Sequence, residues 1–302
     1  MPVSVRPAAS VAPTSDFEER RSRGLLKDAW RRLLLSWNGR VGLAVVTLIV
    51  LIAILAPIVD PYNPRIDSNL LISRQSPSLQ HLFGTDRLGR DVFRRIMHGT
   101  RISLTVGFLV VLFTSLAGIA LGLAAGYLGG VVDTIIMRLL DVLLAFPSIL
   151  LAIAIVAVRG PGLTNTMIAV SIVGIPGSAR VVRSMVLSLR ERDFVVAAQM
   201  VGASKSRVML QHILPNTLSP IIIQATMGIG GAVLFAAALG FLGLGAQPPA
   251  PEWGAMISDG LPFLTTSPHL VFFPGMAIMV TVLGFNLLGD GLRDALDPQT
   301  TL

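Results

Sequence analysis

Long apolar runs constrain this chain more than any other feature of its sequence. Each run approaches or exceeds the roughly 20 residues that an α-helix needs to cross a bilayer. The runs cover residues 41–59, 102–127, 132–158, 163–179, 218–244 and 270–288. Because only 14% of the residues are charged, the composition argues against a pair of soluble domains. We therefore predict an all-α membrane protein in which six transmembrane helices form a single membrane domain.

The basic residues lie mostly in the tails and in the loops between the apolar runs. The formal net charge of +7 is thus typical of the positive-inside tendency, and we expect the N- and C-termini on the cytoplasmic side. No basic face alternates with stacking aromatic residues, so we expect no nucleic-acid partner. Residues 60–101 are also rich in arginine, yet we assign them to the extracytoplasmic side, because so long a loop obeys the charge rule only weakly.

The sequence lacks the residue patterns that an enzyme or a metal protein would need. It has no cysteine, which excludes disulfides and thiolate metal sites. The histidines are scattered and no nucleophile–base constellation is recognisable, so we predict no catalytic residue and no metal or cofactor site. The segment around Lys205 lacks both glycines of a phosphate-binding loop, so we expect no nucleotide site in this chain. No signal-peptide cleavage pattern follows the first apolar run.

The first 40 residues are predicted to form a cytoplasmic tail and an amphipathic helix. Residues 1–23 are rich in Pro, Ala, Ser and Arg, and we expect them to be disordered. Apolar side chains then recur at helical spacing beside Arg31 and Arg32. The shared face consists of Leu26, Trp30, Leu33, Leu34 and Trp37. This pattern predicts either a helix lying on the membrane surface or the polar beginning of the first span.

Residues 194–216 form a polar excursion between the fourth and fifth apolar runs. Alanine and methionine favour a short helix over the first part, Gly202 can adopt the positive φ that ends it, and Ser204 can cap a second helix. Pro215 is expected to stop that second helix, and Asn216 to begin the next span. Such a segment is too long for a turn and too short for a domain. We therefore predict that it docks into another protein.

The same segment resembles the cytoplasmic EAA loop of ABC-importer permeases. The resemblance rests on Ala197, Ala198 and Gly202, followed by the run His212–Pro215. The chain departs from the family pattern at Val196, where the family usually has Glu, and at the first residue of that run, where it often has Ile. In the family this loop forms a coupling helix that sits in a cleft of the ATPase subunit. The resemblance thus implies a coupling loop over residues 180–216. The coupling residues it implies are Ala197, Ala198, Gly202, Ala203, Ser204, Leu214 and Pro215.

A second resemblance covers residues 83–104 and 248–260, both assigned to the extracytoplasmic side. The first stretch is similar to the signature FGTDxLGRDxxSRxxxGxRxSL, and the second to a Pro-rich Trp-Gly pattern. Both patterns are typical of the C-type permease in dipeptide, oligopeptide and nickel importers. Arg94 stands in place of the family Ser. The signature residues are Gly84, Asp86, Gly89, Arg90, Asp91 and Trp253.

Spacing suggests a structural role for this signature. Asp86, Arg90 and Arg94 recur every fourth residue, which predicts a short salt-bridged helix at the membrane face. Exposed pairs of that kind contribute under about 1 kcal/mol, so we interpret the segment as an orienting element. We expect Trp253 either at the membrane interface or against a docking protein.

Charged residues inside the third run predict an ion pair. Unpaired charges at mid-bilayer would cost ~2.5–3.5 kcal/mol each. Arg138 and Asp141 lie at i, i+3 spacing and are therefore expected to pair with each other, either as a structural pair or as part of a gate. Pro147 is expected to kink the same helix.

Small residues predict where helices approach closely. Gly118, Gly122 and Gly126 clear one helix face, for contact within the chain or across a dimer. The fourth run is expected to be short and interrupted at residues 174–177. Glycines at 228, 230 and 231 either pack helices or leave room for a passing solute.

Together the resemblances imply the C-type permease of a type I ABC importer, with the MetI-like fold, in a bacterial inner membrane. They imply a homologous permease partner, two cytoplasmic ATPase subunits that bind ATP and magnesium, and an extracytoplasmic solute-binding protein. The implied cargo is a di- or oligopeptide, with nickel or another small solute as the alternative. The competing interpretation is an ion-driven secondary transporter. Such a transporter needs ionisable groups at mid-membrane depth, and only Arg138 and Asp141 approach this requirement. The expected divisions are a tail and amphipathic helix over 1–40, the first span over 41–59, an extracytoplasmic segment over 60–101 and a five-span core over 102–302.

Overall fold

The computed structural model describes residues 28, 30–63 and 67–296. The disordered tail predicted over residues 1–23 and the position of Leu26 on an amphipathic face lie outside the described residues.

Helices form the fold of the described residues, and a short helical stretch over residues 30–35 precedes the first long one. We number the helices along the chain and count the continuous helix from Lys205 as one. They are α1 (Trp37–Val59), α2 (Val92–Leu128), α3 (Gly130–Leu144), α4 (Ser148–Arg159), α5 (Leu163–Leu189), α6 (Asp193–Met200), α7 (Lys205–Phe241), α8 (Trp253–Gly260) and α9 (His269–Leu296). Short 3₁₀ turns occur at Leu70–Ile72 and Leu261–Phe263.

Within the described ranges, α1, α2, α5, α7 and α9 are long and apolar enough to cross a membrane. α3 and α4 pass the same test together, but they are bent by 89° at a short break. The described residues therefore provide up to six spans, the number that the sequence predicts, if the bent pair is one span. Pro147 lies at the break, so the residue expected to kink one helix separates two helices.

Several helices extend beyond the apolar runs that predict them. α2 begins at Val92 and not near residue 102, α5 continues to Leu189, and α9 reaches Leu296. At the start of α2, the Asp91 carboxylate accepts a hydrogen bond of 3.1 Å from the backbone N–H of Arg94. Hydropathy marks where a helix leaves the bilayer, whereas capping marks where the helix itself begins or ends.

The interruption expected at residues 174–177 is not present, because α5 is helical from Leu163 to Leu189. Pro176 lies buried inside this helix, and the space beside Gly177 is open. Membrane helices tolerate an internal proline because neighbouring groups can satisfy the backbone carbonyl that it leaves free. Residues 180–189, predicted to belong to the coupling loop, are therefore part of a span-forming helix.

α2 and α5 approach closely through three glycines of α2. A Cβ added to Gly122 would lie only 2.6 Å from the carbonyl oxygen of Ala179 on α5. The nearest α5 residues to Gly118, Gly122 and Gly126 are, in that order, Ser178, Ala179 and Val186. Of the two predicted alternatives, the contact is thus the one within a single chain.

The stretch of residues 30–35 packs onto α1 and α9. Leu33 is buried, and its side chain lies beside Gly39 of α1 and Gly291 of α9. Trp30 and Trp37 are exposed. Among its described residues, the face predicted to be shared is therefore divided between the protein and its surroundings, because Leu33 meets glycines that leave room for it.

α2 runs between the two ends of the bundle. Its first turns contact Asp86 in a loop and Trp253 at the start of α8, and at its far end the hydroxyl of Tyr127 accepts a 3.2 Å hydrogen bond from Nε2 of Gln199. With 37 residues, α2 is about 55 Å long. We call the end formed by residues 60–91 and 243–268 the signature end, and the end formed by residues 190–204 the hairpin end.

Candidate functional site

Residues 190–204, which we call the hairpin, connect α5 to α7 and contain α6. α6 ends at Met200, Gly202 has a φ of +85°, and Ser204 accepts a hydrogen bond of 3.4 Å from the backbone N–H of Arg207. The space beside Gly202 is open, so a side chain there would be strained by the backbone angle and not by a collision. The prediction of two helices joined at Gly202 is confirmed.

One side of the hairpin is buried against the bundle. Val195 of α6 and Val208 of α7 are completely buried, in one apolar cluster with Val182 and Val186 of α5. Three predicted coupling residues lie partly buried on this cluster: Ala198, Ala203 and Leu214. Because packed side chains transmit displacement instead of absorbing it, the hairpin is tied to α5 and α7 as one unit.

The other side of the hairpin is exposed and apolar. The side chains of Met200 and Val201 are 84% and 88% exposed. The hairpin patch, as we define it, consists of Phe194, Val196, Met200 and Val201. The other predicted coupling residues are exposed: Ala197, Gly202, Ser204 and Pro215. The structure thus divides the predicted coupling residues between a base that packs on the bundle and a surface that faces away from it.

The helix that follows the hairpin does not end at Pro215, contrary to the prediction. It continues from Lys205 to Phe241. A π-helical turn, Val208–Ile213, precedes Pro215, and the backbone N–H of Leu214 donates to the carbonyl of Met209. The wider turn accommodates Pro215, which lacks an N–H and whose ring would clash with the carbonyl four residues earlier in a regular α-helix. The hairpin is therefore continuous with a span.

The predicted ion pair between Arg138 and Asp141 is not formed. Asp141 instead accepts a hydrogen bond of 2.6 Å from Nη2 of Arg180. Arg138 is exposed and makes no ion pair with any other described residue. Arg183 binds Asp133 through two hydrogen bonds of 2.6 Å each. The i, i+3 prediction is wrong because arginines on the neighbouring α5 provide the partners, and both pairs join α3 to α5.

A buried charge cluster lies at the signature end. Oδ2 of Asp86 accepts hydrogen bonds from Nε of Arg90 at 2.7 Å and from Nη1 of Arg95 at 2.6 Å. Its Oδ1 accepts from the backbone N–H groups of Leu88 and Arg90, at 2.8 and 2.9 Å. All three charged residues are 4% exposed. We call Asp86, Arg90 and Arg95 the signature cluster; its contacts hold the loop onto α2.

The short helix predicted from Asp86, Arg90 and Arg94 is wrong in two respects. Asp86 and Arg90 lie in a loop, and Arg94 lies in α2, where it donates to Asp60 at 2.5 and 2.6 Å. The pair is also buried, and breaking a buried pair costs about 3–5 kcal/mol, far more than breaking an exposed one. The predicted pairing of Asp86 with Arg90 is correct, but the geometry that produces it is not helical.

Two glycines produce that geometry. Gly84 and Gly89 have φ values of +74° and +71°, and a Cβ on either would collide with a backbone carbonyl of the preceding segment. These turns reverse the chain so that residues four apart meet without a helix. Asp91 then caps α2, and its Oδ2 lies 2.8 Å from Nδ1 of His81. The signature residues therefore close the loop and start α2.

Trp253 does not lie at the surface, so both predicted positions for it are wrong. It is 1% exposed, and its Nε1–H donates to the carbonyl of Ile96 at 3.1 Å. The indole occupies the space beside Gly99, where a Cβ would lie 2.9 Å from the ring. Trp253 thus ties α8 to α2, and the glycine of α2 makes room for it.

Sequence reasoning missed Glu252, which is buried immediately before α8. Its carboxylate accepts hydrogen bonds from the backbone N–H groups of Gly254 and Ala255, at 2.8 and 2.9 Å, and so caps the helix. Burial raises the pKa of Glu252, and these two hydrogen bonds offset part of that rise. The available signal was an acidic residue directly before a helix-forming segment.

Two adjoining cavities lie beside α7. The central cavity, of roughly 380 Å³, is lined by α2, α5 and α7, is open on one side, and includes Gly228 and Gly231. The hairpin-end cavity, of roughly 670 Å³, lies between α5, α7 and α9. Gln224 lines both. Gly230 instead faces α9, where an added Cβ would lie 3.2 Å from Cα of Val282, so close helix packing explains this glycine, whereas Gly228 and Gly231 border a cavity.

Comparison with known proteins places this architecture. Residues 118–302 match the family described as binding-protein-dependent transport system inner membrane component. The chain belongs to this family. Residues 24–77 also match the N-terminal transmembrane domain of oligopeptide transport permease C, so the resemblance to a C-type permease is confirmed.

Relatives match this permease over nearly its full length. It is 53% identical to the dipeptide transport system permease protein of Alkalihalophilus pseudofirmus over 275 residues, or 90% of each chain. It is 44% identical to the glutathione transport system permease protein of Pectobacterium atrosepticum, covering 97% of this chain and 98% of that one. A dipeptide transport system permease protein of Haemophilus influenzae is 43% identical, and the match covers 91% of this chain and 95% of that one.

The permease also resembles a solved structure, an inward-facing form of the MetNI methionine ABC transporter. The TM-score is 0.55 at 17% sequence identity, over 67% of this chain and 97% of that chain. This likeness and the family membership confirm the predicted fold, that of a type I ABC importer permease. The chain is a multi-pass membrane component of a transport system.

Proposed function

We propose that this permease forms, with a homologous permease, the pathway through which an ATP-driven importer carries peptides delivered by a binding protein. The observation that carries the proposal is the hairpin: an exposed apolar patch on a base packed into the bundle. An apolar patch of this kind on a segment outside the apolar runs favours a protein partner. Relatives named as dipeptide and glutathione permeases support peptides as the cargo.

The proposed orientation places the hairpin end and both termini in the cytoplasm. Arginines and lysine cluster on and beside the hairpin: Arg180, Arg183, Arg190, Arg192, Lys205 and Arg207. At the signature end, residues 246–268 contain no Lys or Arg, whereas residues 60–101 are rich in arginine but form a loop long enough to obey the charge rule only weakly. This asymmetry supports a cytoplasmic hairpin by the positive-inside rule. Exposed leucines at the signature end, Leu71 and Leu79, support contact there with an extracytoplasmic binding protein.

In the proposed mechanism, two separate ATPase subunits bind ATP and magnesium and move the hairpin. The hairpin patch is the surface that an ATPase grips, and the buried base transmits the movement to α5 and α7. Because α7 continues from the hairpin without interruption, its displacement would repack the helices around the two cavities. Alternation between two packed arrangements would then open the pathway to one side at a time.

The competing interpretation, an ion-driven transporter, has lost its support. It required ionisable groups placed for a transport role within the spans, and Arg138 and Asp141 were the candidates. Asp141 is bound to Arg180, and Arg138 is exposed at the surface. A cargo other than peptide, such as nickel, would use the same machinery, and no contact among the described residues favours it.

The decisive experiment reconstitutes the permease with the chains that copurify with it. We expect a second permease, ATPase subunits and a binding protein, and ATP-dependent uptake of labelled alanyl-alanine into proteoliposomes. ATP hydrolysis without uptake of any peptide tested would refute the peptide cargo. Uptake by this chain in the absence of an ATPase would refute the proposed machinery altogether.

A further inference from the structure

Two adjacent faces of α7 line the two cavities, one face for each cavity. The lining residues of α7 together cover more than half of its circumference at about 100° per residue, and the two sets meet at Gln224. The lining residues are Asn216, Ser219, Pro220, Ile223, Gln224, Ala225, Met227, Gly228, Gly231, Ala232 and Phe235. From Asn216 to Phe235 the helix rises by about 29 Å, close to the roughly 30 Å of a bilayer's hydrocarbon core. The cavities thus follow α7 across the membrane.

The lining is uncharged over most of this distance. No lining residue of the central cavity is charged, and of the residues described around the hairpin-end cavity only Arg293 is. The polar side chains of the central cavity are Thr114, Ser115, Ser178 and Gln224. An uncharged lining cannot hold a peptide by its charged termini, but its hydroxyl and amide groups can form hydrogen bonds.

Gln224 is the one side-chain amide in the lining described for the central cavity, and like the hydroxyls of Ser115 and Ser178 it has no hydrogen bond with another described residue. Thr114 already donates to the carbonyl of Ser171 at 3.1 Å. The side-chain amide of Gln224 makes no hydrogen bond with any described residue, although it lies in the apolar part of α7. A polar group placed there without a partner is unfavourable. It is also the residue at which the two cavities meet, so its partner is expected to come through them.

We propose that the Gln224 amide is a hydrogen-bonding site for the main-chain amide groups of a peptide passing between the two cavities. The proposal rests on the proposed function and names where this chain contacts the cargo. A carboxamide both donates and accepts, so it matches a peptide group whatever the side chains of the peptide are. A single neutral contact also binds weakly enough to let the peptide leave, which conduction requires.

Accessibility gives the first test, since the chain has no natural cysteine. In the assembled transporter, Gln224→Cys should react with a small charged methanethiosulfonate reagent added in water, and alanyl-alanine delivered by the binding protein should slow that reaction severalfold. Ile222→Cys is the matched control, because Ile222 is on the same helix, is exposed, and lines neither cavity. Because Ile222 lines neither cavity, Ile222→Cys should not react with the reagent. An unreactive Gln224→Cys would mean that a partner helix or lipid covers this position, and would overturn the proposal.

Transport gives the second test. Gln224→Met keeps the length of the side chain without its hydrogen bonds, and should reduce ATP-dependent uptake of labelled alanyl-alanine by about five- to tenfold, as expected for one lost hydrogen bond. ATP hydrolysis stimulated by the binding protein should be retained, and Gln224→Asn should restore part of the uptake. The matched control is Thr226→Val, since the Thr226 hydroxyl bonds to its own helix at Ile222 and lines neither cavity.

The outcomes separate this proposal from the proposed function. If the wild-type transporter takes up alanyl-alanine and Gln224→Met takes it up equally well, the role of Gln224 is refuted while the importer stands. If Gln224→Asn is as impaired as Gln224→Met and neither copurifies with its partners, Gln224 is an assembly contact and the proposal also fails. Absence of wild-type peptide uptake refutes the proposed cargo, whatever the variants do.

Discussion

The signature cluster and the hairpin patch place their side chains in opposite ways. In the signature cluster the charges of Asp86, Arg90 and Arg95 are buried and bonded to one another. In the hairpin patch the apolar side chains of Met200 and Val201 face outward. The first arrangement buries charged side chains that are only 4% exposed. The second leaves apolar surface that no described residue covers.

This difference shows which region finds its partners within one chain. A buried charge is stable only when its partners are already in place, and the Asp86 carboxylate accepts four hydrogen bonds from the same chain. Of the polar side-chain atoms of the cluster, Nε of Arg95 has no hydrogen-bond partner among the described residues. Exposed apolar surface gains free energy only when another molecule covers it. We therefore expect changes in the signature cluster to affect the stability of the permease itself, and changes in the hairpin patch to affect its assembly.

The largest effect is expected for Asp86→Asn, which leaves two buried arginines without a counter-charge. The free energy of unfolding should fall by about 3–5 kcal/mol, measured by denaturation of the purified protein in detergent. Asp259→Asn is the matched control, because Asp259 pairs with the more exposed Arg87 at 3.3 Å and should lose under about 1 kcal/mol. Equal losses for the two variants would remove the distinction between the cluster and an ordinary surface pair.

A smaller effect is expected for Gly202→Ala in the hairpin. At a φ of +85° an alanine is strained by about 1–2 kcal/mol, and relief of that strain would shift the hairpin. We therefore expect that, in reconstituted vesicles, ATP hydrolysis proceeds while peptide uptake is reduced. Gly275→Ala in α9 also meets open space but has no positive φ, and should leave stability and uptake unchanged or slightly improved. Normal coupling in Gly202→Ala would show that the hairpin does not act as a lever.

The pH dependence of stability sharpens the comparison at the signature end. Because burial raises the pKa of Glu252 above its ordinary value of 4.5, the unfolded chain ionises first as the pH rises. The free energy of unfolding should therefore fall with rising pH from about 4.5 up to the raised pKa, by at most ~1.4 kcal/mol per pH unit. Unfolding midpoints measured from pH 4 to 8 should show a weaker fall in Glu252→Gln. Parallel curves for the two proteins would contradict this assignment.

The smallest effect on stability is expected in the hairpin patch. The double variant Met200→Ser, Val201→Ser removes exposed side chains and should change the free energy of unfolding by less than about 0.5 kcal/mol. It should nevertheless lose copurifying ATPase subunits, quantified on a stained gel. Val158→Ser alters an equally exposed residue on α4 and should retain them. Retention of the ATPase by the double variant would place the docking surface elsewhere.

Local features of the structure were predictable from the sequence. The spans follow from apolar runs that need only a length and a composition, and the turn at Gly202 and the cap at Ser204 depend on a few neighbouring residues. The pairing of Asp86 with Arg90 was also predicted, but from helical spacing, whereas two glycine turns bring the residues together. These predictions hold because their causes lie within a few residues of chain.

Partner choice was not predictable, because it depends on which helices become neighbours. Asp141 pairs with Arg180 of α5 and not with Arg138, and Trp253 is buried because Gly99 leaves room for its ring. The continuity of α7 past Pro215 likewise required a π-turn that packs on the bundle.

The sequence by itself determined the membrane class, the family and the positions of the hairpin and the signature. Only the tertiary structure decided which charges are buried, which side of the hairpin is free, and that two adjacent faces of α7 line two cavities meeting at Gln224. The physical reason is that burial and pairing are properties of the space between helices, and that space exists only after helices far apart in the chain have packed together.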